Sequence, residues 1–83
     1  MDTKFNPETV DLAALRALLE ERCGPFVEGE VVGRTRLRDA VVGHLACSLL
    51  DAERLVDTMI GLGFLRKQTS ADGRTGWATS ARG

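Results

Sequence analysis

Few side chains in this sequence are suited to catalysis or to metal binding. The 83 residues contain one histidine, His44, and two cysteines, Cys23 and Cys47. A structural zinc site takes four such ligands, and no nucleophile stands in a recognisable arrangement with a base and an acid. We therefore expect no metal, no cofactor and no enzymatic activity. His44 is expected to be partly buried on the inner side of a helix, and the cysteines to act as small apolar side chains.

Basic side chains are concentrated in the second part of the sequence. Residues 1–33 carry three basic and seven acidic side chains, whereas residues 34–83 carry eight basic and five acidic ones. Such an asymmetry can orient a domain on a polyanion, although the formal net charge is −1. Arg34, Arg36 and Arg38 are spaced by two, so they cannot all share one face of a helix. These arginines either contact phosphate or form an ordinary solvated surface.

The composition indicates a single soluble domain. Apolar residues make up 43% of the chain and charged residues 28%, which is typical of globular proteins. We interpret residues 1–83 as one domain. No apolar run approaches the ~20 residues that cross a bilayer, and the first residues lack the apolar stretch of a signal peptide. The sequence predicts a cytoplasmic protein without membrane association.

Capping and breaking residues predict two helices in the first half of the chain. Asn6-Pro7-Glu8 is a typical helix opening, and Gly24-Pro25 is a typical end. Val31-Val32 predicts a short strand. Thr35 is the expected cap of a second helix that ends near Ala46-Cys47.

A third helix and a hairpin are predicted after it. Ser48 and Asp51 form the serine-x-x-acid pattern that caps a helix start, and Gly63 is placed to end the helix in the left-handed conformation. The expected buried face consists of apolar side chains at helical spacing: Ala52, Leu55, Val56, Met59 and Ile60. Two extended runs around Asp72-Gly73 predict a β-hairpin, and Trp77 is expected to pack it against the helices.

The order helix, short strand, helix, tight turn, helix, hairpin predicts an α+β fold of the winged helix-turn-helix type, with the hairpin as the wing. Residues 52–67 resemble the recognition helix and first wing strand of MarR-like regulators. Asp72-Gly73-Arg74 is similar to their wing tip, and residues 77–83 are similar to their closing strand. DNA-reading end domains of bacterial chromosome translocases share this pattern. The resemblance covers residues 34–83 and does not extend to the helices through which MarR-like regulators dimerise.

This resemblance implies sequence-specific binding of double-stranded DNA, with the third helix in the major groove, and a role in transcription regulation or a related DNA transaction. It implies contacts from the third helix to base edges by Ser48, Arg54 and Thr58. Arg74 at the wing tip would enter the minor groove or contact phosphate. The implied contacts to backbone phosphates come from the second helix and the wing: Arg36, Arg38, Arg66 and Lys67.

A different interpretation of the same fold is a protein-interaction module that does not bind DNA. The outward side of the third helix carries three carboxylates against a single arginine, Arg54, and the whole chain is nearly neutral. Leu50 and Val42 are expected to be exposed apolar side chains. Self-association into a homodimer would be the simplest form of this function. Binding of a different protein is the other form.

Overall fold

Three α-helices and three short β-strands make up the part of the chain that the structure describes. The computed structural model describes residues 9–80, and the structural statements below concern those residues. In chain order the elements are α1 (Leu12–Cys23), β1 (Phe26–Glu28), α2 (Val31–Leu45), α3 (Leu49–Leu62), β2 (Arg66–Thr69) and β3 (Thr75–Ala78). No helix within residues 9–80 is long and apolar enough to span a membrane.

Helix α1 begins and ends at residues that satisfy its free backbone groups. The Asp11 side chain accepts a hydrogen bond from the Ala14 backbone N–H at 3.2 Å, which caps the first turn. Gly24, at φ 88°, ends the helix, so the predicted end is confirmed. The predicted opening at Asn6-Pro7-Glu8 lies outside the described residues.

The start of α2 differs from the prediction. The short strand lies at residues 26–28, and Val31 and Val32 form the first turn of α2. Gly29, at φ 99°, reverses the chain, and its carbonyl accepts the Gly33 N–H at 3.1 Å. This backbone bond outweighs the weak preference of valine for strands. The Thr35 hydroxyl donates to the Val31 carbonyl within the helix, so Thr35 as a cap was wrong, and Arg34 and Arg36 lie inside α2.

Helix α3 follows the prediction closely. The Ser48 hydroxyl accepts the Asp51 N–H at 3.1 Å, and Gly63 ends the helix in the left-handed conformation at φ 88°. The chain then folds back, because the Phe64 N–H donates to the Met59 carbonyl at 2.8 Å. Only residues 46–48 connect α2 to α3.

The three strands form one antiparallel sheet in the order β1-β3-β2. Strand β3 is central, β1 and β2 are the edge strands, and β2 and β3 form the hairpin. In the central strand, Trp77 lies between Val27 of β1 and Lys67 of β2. Trp77 is buried, and its indole Nε1 donates to the Glu30 carbonyl at 2.8 Å. A Cβ built at Gly33 of α2 would lie 3.2 Å from the Trp77 ring, so the tryptophan packs the hairpin onto α2 as predicted.

The core lies between the helices and the inner side of the sheet. Its buried members come from every element except β2, with Leu65 preceding that strand: Leu15, Leu19, Val27, Leu37, Val41, Ala52, Leu55, Val56, Met59, Leu65 and Trp77. His44 is exposed rather than partly buried. The buried stripe of α2 runs in four-residue steps from Gly33 through Leu37 and Val41, and His44 lies off that line.

Candidate nucleic-acid interface

Helix α3 presents one side to solvent. Arg54, Asp57 and Thr58 are exposed, together with Leu50 near the start of the helix. Ala52, Leu55, Val56 and Met59 on the opposite side are buried. The Thr58 hydroxyl donates to the Arg54 carbonyl at 2.8 Å, and the Arg54 guanidinium forms no ion pair within residues 9–80. This outer face of α3 therefore offers one uncommitted cation.

Two carboxylates of α3 are paired with two arginines of α2. Arg34 forms an ion pair with Asp57, and Arg38 Nη1 lies 3.4 Å from Glu53 Oε2. The two arginines are one helical turn apart, as are the two carboxylates, and the pairs connect the two helices in reverse order. We call these two pairs the α2–α3 ladder. Its effect is to neutralise most of the acidic charge that the sequence places on α3.

Arg38 is held more firmly than Arg34. Its guanidinium also donates to Asp39 Oδ1 at 3.0 and 3.1 Å, and its side chain is only 24% exposed. The hydrogen bond to Asp39 raises the pKa of Arg38 above its ordinary value, with Glu53 adding to the effect. Arg38 therefore remains a cation that is already surrounded by carboxylates.

The basic residues of the hairpin differ in their partners. Lys67 Nζ lies 2.9 Å from Glu30 Oε2 at the start of α2, and Arg74 Nη1 lies 3.2 Å from Glu28 Oε1 of β1. Arg66 is exposed and has no ion pair among the described residues. Because neighbouring residues of a strand point to opposite faces of the sheet, Arg66 and Lys67 do not lie on the same surface.

Hydrogen bonds order the tip of the hairpin. Ser70 Oγ donates to Asp72 Oδ1, and it accepts the Arg74 N–H at 3.1 Å. The bond from Ser70 lowers the pKa of Asp72 below its ordinary value, so this carboxylate stays ionised at neutral pH. Asp72 Oδ2 in turn lies 3.1 Å from Arg74 Nε. Arg74 therefore projects from an ordered turn with two carboxylates beside it.

The structure gathers only some of the predicted DNA contacts on one surface. Arg38, Arg54 and Thr58 belong to the adjoining α2 and α3 surfaces, and Ser48 caps α3 with its hydroxyl engaged by a backbone N–H. Arg36 is exposed, but it projects about 200° around α2 from Arg38, since an α-helix turns about 100° per residue. Arg36 therefore lies on another side of α2.

Two surface clefts lie beside the helices. One, with a volume of about 360 Å³, lies between the start of α2, Glu53 of α3 and Trp77, and Arg34 and Arg38 line it. The other, of about 410 Å³, lies between the start of α1 and the end of α2 and is lined by Leu15, His44 and Leu45. The first cleft is bounded by the α2–α3 ladder and by the base of the hairpin.

Metal-ligating side chains do not form a cluster in the described part of the chain. No three His, Cys, Asp or Glu side chains of residues 9–80 are placed to hold a metal ion. Cys23 and Cys47 are free thiols, each partly buried. Burial raises the pKa of the Cys47 thiol, which disfavours the thiolate that nucleophilic chemistry requires.

The ion pairs between the arginines of α2 and the carboxylates of α3 were not predicted from the sequence. Arg34 was predicted either to contact phosphate or to form part of a solvated surface, and its pairing with Asp57 was not expected. Its partner Asp57 was expected only as a surface charge. The signal in the sequence was the four-residue spacing of Arg34 and Arg38 and of Glu53 and Asp57, which places each pair on one side of its helix.

Comparison with protein-family models, with curated proteins and with solved structures gave no match to this chain.

Proposed function

We propose that this chain is a winged-helix domain that binds double-stranded DNA through α3 and the β2–β3 hairpin. The observation that carries the proposal is the order of the elements. A helix, a strand and two helices joined by a three-residue connection precede a hairpin whose second strand is central in a β1-β3-β2 sheet. In this arrangement α3 corresponds to the recognition helix of a helix-turn-helix protein and the hairpin corresponds to its wing.

The distribution of charge in three dimensions supports this proposal, because carboxylates of α3 are paired with arginines of α2. Counted along the chain, α3 has an excess of carboxylates, which would repel phosphate. In three dimensions Asp57 and Glu53 are paired with Arg34 and Arg38. The surface formed by α2 and α3 is thus close to neutral, and Arg54 is the cation available on the outer face.

Arg54 is also the side chain best suited to read a base. Arg54 is exposed, its guanidinium has no ion pair among residues 9–80, and Thr58 lies one turn further along the same side of α3. An arginine can donate two hydrogen bonds to guanine in the major groove. Arg66 adds a cation on the hairpin that has no ion pair within the described part of the chain, and contact with a phosphate is its expected role.

The test is a fluorescence-anisotropy titration of a labelled mixed-sequence duplex at low salt. We expect a dissociation constant within about 10⁻⁴–10⁻⁶ M, which is the range of sequence-independent binding. The affinity should fall steeply as salt is raised, because bound phosphates release counterions. Absence of binding at the highest protein concentration in low salt would contradict the proposal.

Arg54→Ala is expected to weaken this sequence-independent binding severalfold and to lower the salt slope by about 0.9, because a cation that interacts with the phosphates beside the groove is lost. Arg22→Ala is the matched control, because Arg22 is an exposed arginine of α1 and its removal changes the net charge equally. The control should bind within about twofold of the unaltered protein. Equal losses in both variants would show that only net charge matters and that α3 has no special role.

Exposed apolar side chains favour a second candidate function, a protein-interaction module. Val31 and Val32 at the start of α2 are 75% and 66% exposed, and Leu49, Leu50 and Leu62 of α3 are more than half exposed. Large exposed apolar side chains are common at protein interfaces. Sedimentation velocity over a range of concentrations separates the two candidate functions. Self-association supports the protein-interaction module, whereas a monomer that binds DNA supports the winged-helix DNA-binding domain.

A further inference from the structure

The α2–α3 ladder places a carboxylate at each of two arginines that lie beside α3, the proposed DNA-binding helix. Three of its four side chains remain accessible, since Asp57 is 60% exposed, Glu53 53% and Arg34 40%, whereas Arg38 is 24% exposed. They are therefore held by one another at the surface rather than by burial in the core. A phosphate group that approaches this surface meets arginines that are already paired with carboxylates.

Carboxylate and phosphate oxygens use the same donors of a guanidinium group. Both accept charge-assisted hydrogen bonds from arginine, often in pairs. A phosphate that binds Arg34 or Arg38 must therefore displace Asp57 or Glu53, or share the guanidinium with it. Each internal ion pair lowers the gain from such a phosphate contact.

We infer that Asp57 and Glu53 set the specificity of DNA binding by lowering its sequence-independent part. This inference rests on the proposed function. Phosphate contacts supply nearly all of non-specific affinity, and specificity is the difference between affinities for the correct and the wrong site. Internal carboxylates at Arg34 and Arg38 reduce the phosphate contribution on every sequence and leave the base contact of Arg54 intact.

The experiment replaces the carboxylates one at a time by their amides, Asp57→Asn and Glu53→Gln. Binding of the mixed-sequence duplex is followed by anisotropy at several salt concentrations. Each variant is expected to bind about two- to fivefold more tightly at low salt, the range spanned by ion pairs between exposed side chains. In Asp57→Asn the slope of log affinity against log salt should become steeper by about 0.9, because one additional phosphate is contacted. Both changes should be smaller in Glu53→Gln, because Asp39 still pairs with Arg38 in that variant.

Glu21→Gln is the matched control. Glu21 is exposed on α1 and forms no ion pair within residues 9–80, so its replacement changes the net charge equally and frees no arginine. Its salt slope should equal that of the unaltered protein. A second arm combines Asp57→Asn with Arg34→Gln, which should return the slope to the original value because the freed arginine is absent. Circular dichroism of each variant verifies that it is folded.

The outcomes separate the inference from the proposed function. Steeper slopes in Asp57→Asn and Glu53→Gln but not in Glu21→Gln support the inference. Unchanged slopes in a protein that binds DNA overturn it and leave the proposed function standing. An equal change in Glu21→Gln also overturns it, because net charge alone then explains the effect. Failure of every form to bind DNA overturns the proposed function itself.

Discussion

Gly76→Ala is expected to remove a substantial part of the stability of the domain. Gly76 is buried in the central strand β3. A Cβ at this position would collide with the Val27 carbonyl and would lie 2.8 Å from Phe26 Cζ and 2.9 Å from Glu28 Cα. Two of these neighbours are backbone atoms of the paired strand β1, so they cannot move without disrupting the sheet. Overpacking typically costs about 1–3 kcal/mol and sometimes more, and we expect about 3 kcal/mol or more here.

Urea denaturation followed by circular dichroism measures this loss. A domain of this length has a total stability of about 4–12 kcal/mol at typical values per residue. Gly43→Ala is the control, because a Cβ at this exposed position of α2 meets nothing within 4 Å. That change should stabilise the helix by about 0.5–1 kcal/mol. An unchanged midpoint for Gly76→Ala would contradict the β1–β3 pairing.

Trp77→Ala is expected to have the second largest effect, a loss of about 3–5 kcal/mol. Trp77 is 6% exposed, contacts α2 at Gly33, and donates its indole N–H to the Glu30 carbonyl. Removing the side chain leaves a cavity between sheet and helix and removes this hydrogen bond. Trp77→Phe keeps part of the packing and loses the hydrogen bond, so its cost should be smaller.

Thermal unfolding measures the loss of stability in Trp77→Ala. Each kcal/mol lost should lower Tm by about 4–8 °C in a domain of this size. Val32→Ala is the control, since Val32 is 66% exposed, and its effect should stay within about 0.5 kcal/mol. Trp77 is the only tryptophan of the chain, so the fluorescence of the unaltered protein reports on this contact directly. A small effect for Trp77→Ala, equal to that of Val32→Ala, would contradict the position of the hairpin on α2.

Local chemistry was sufficient to predict α3 and the hairpin from the sequence. Ser48 and Gly63 act through hydrogen bonds to residues within a few positions along the chain, and such bonds depend little on the rest of the fold. The start of α2 was predicted wrongly because valine at residues 31 and 32 suggests a strand. The backbone bond from Gly33 to Gly29 depends on a glycine conformation that the residue types did not reveal.

The candidate interface was harder to predict than the fold, because it depends on partners far apart in sequence. Arg38 and Glu53 are 15 residues apart, and Lys67 and Glu30 are 37 apart. Residue types gave the charges of these side chains but not which charges face each other. The acidic appearance of α3 therefore suggested a repulsive helix, whereas pairing with α2 neutralises much of it.

Two-dimensional NMR of the backbone amides during addition of a mixed-sequence duplex tests the central claim most directly. If α3 and the hairpin bind DNA, the largest chemical-shift changes fall on the outer face of α3, at Arg54 and Thr58, and on the hairpin around residues 66–75. Amides of α1 should change little. Shifts confined to α1, or no shifts at low salt with excess DNA, would contradict DNA binding through α3 and the hairpin.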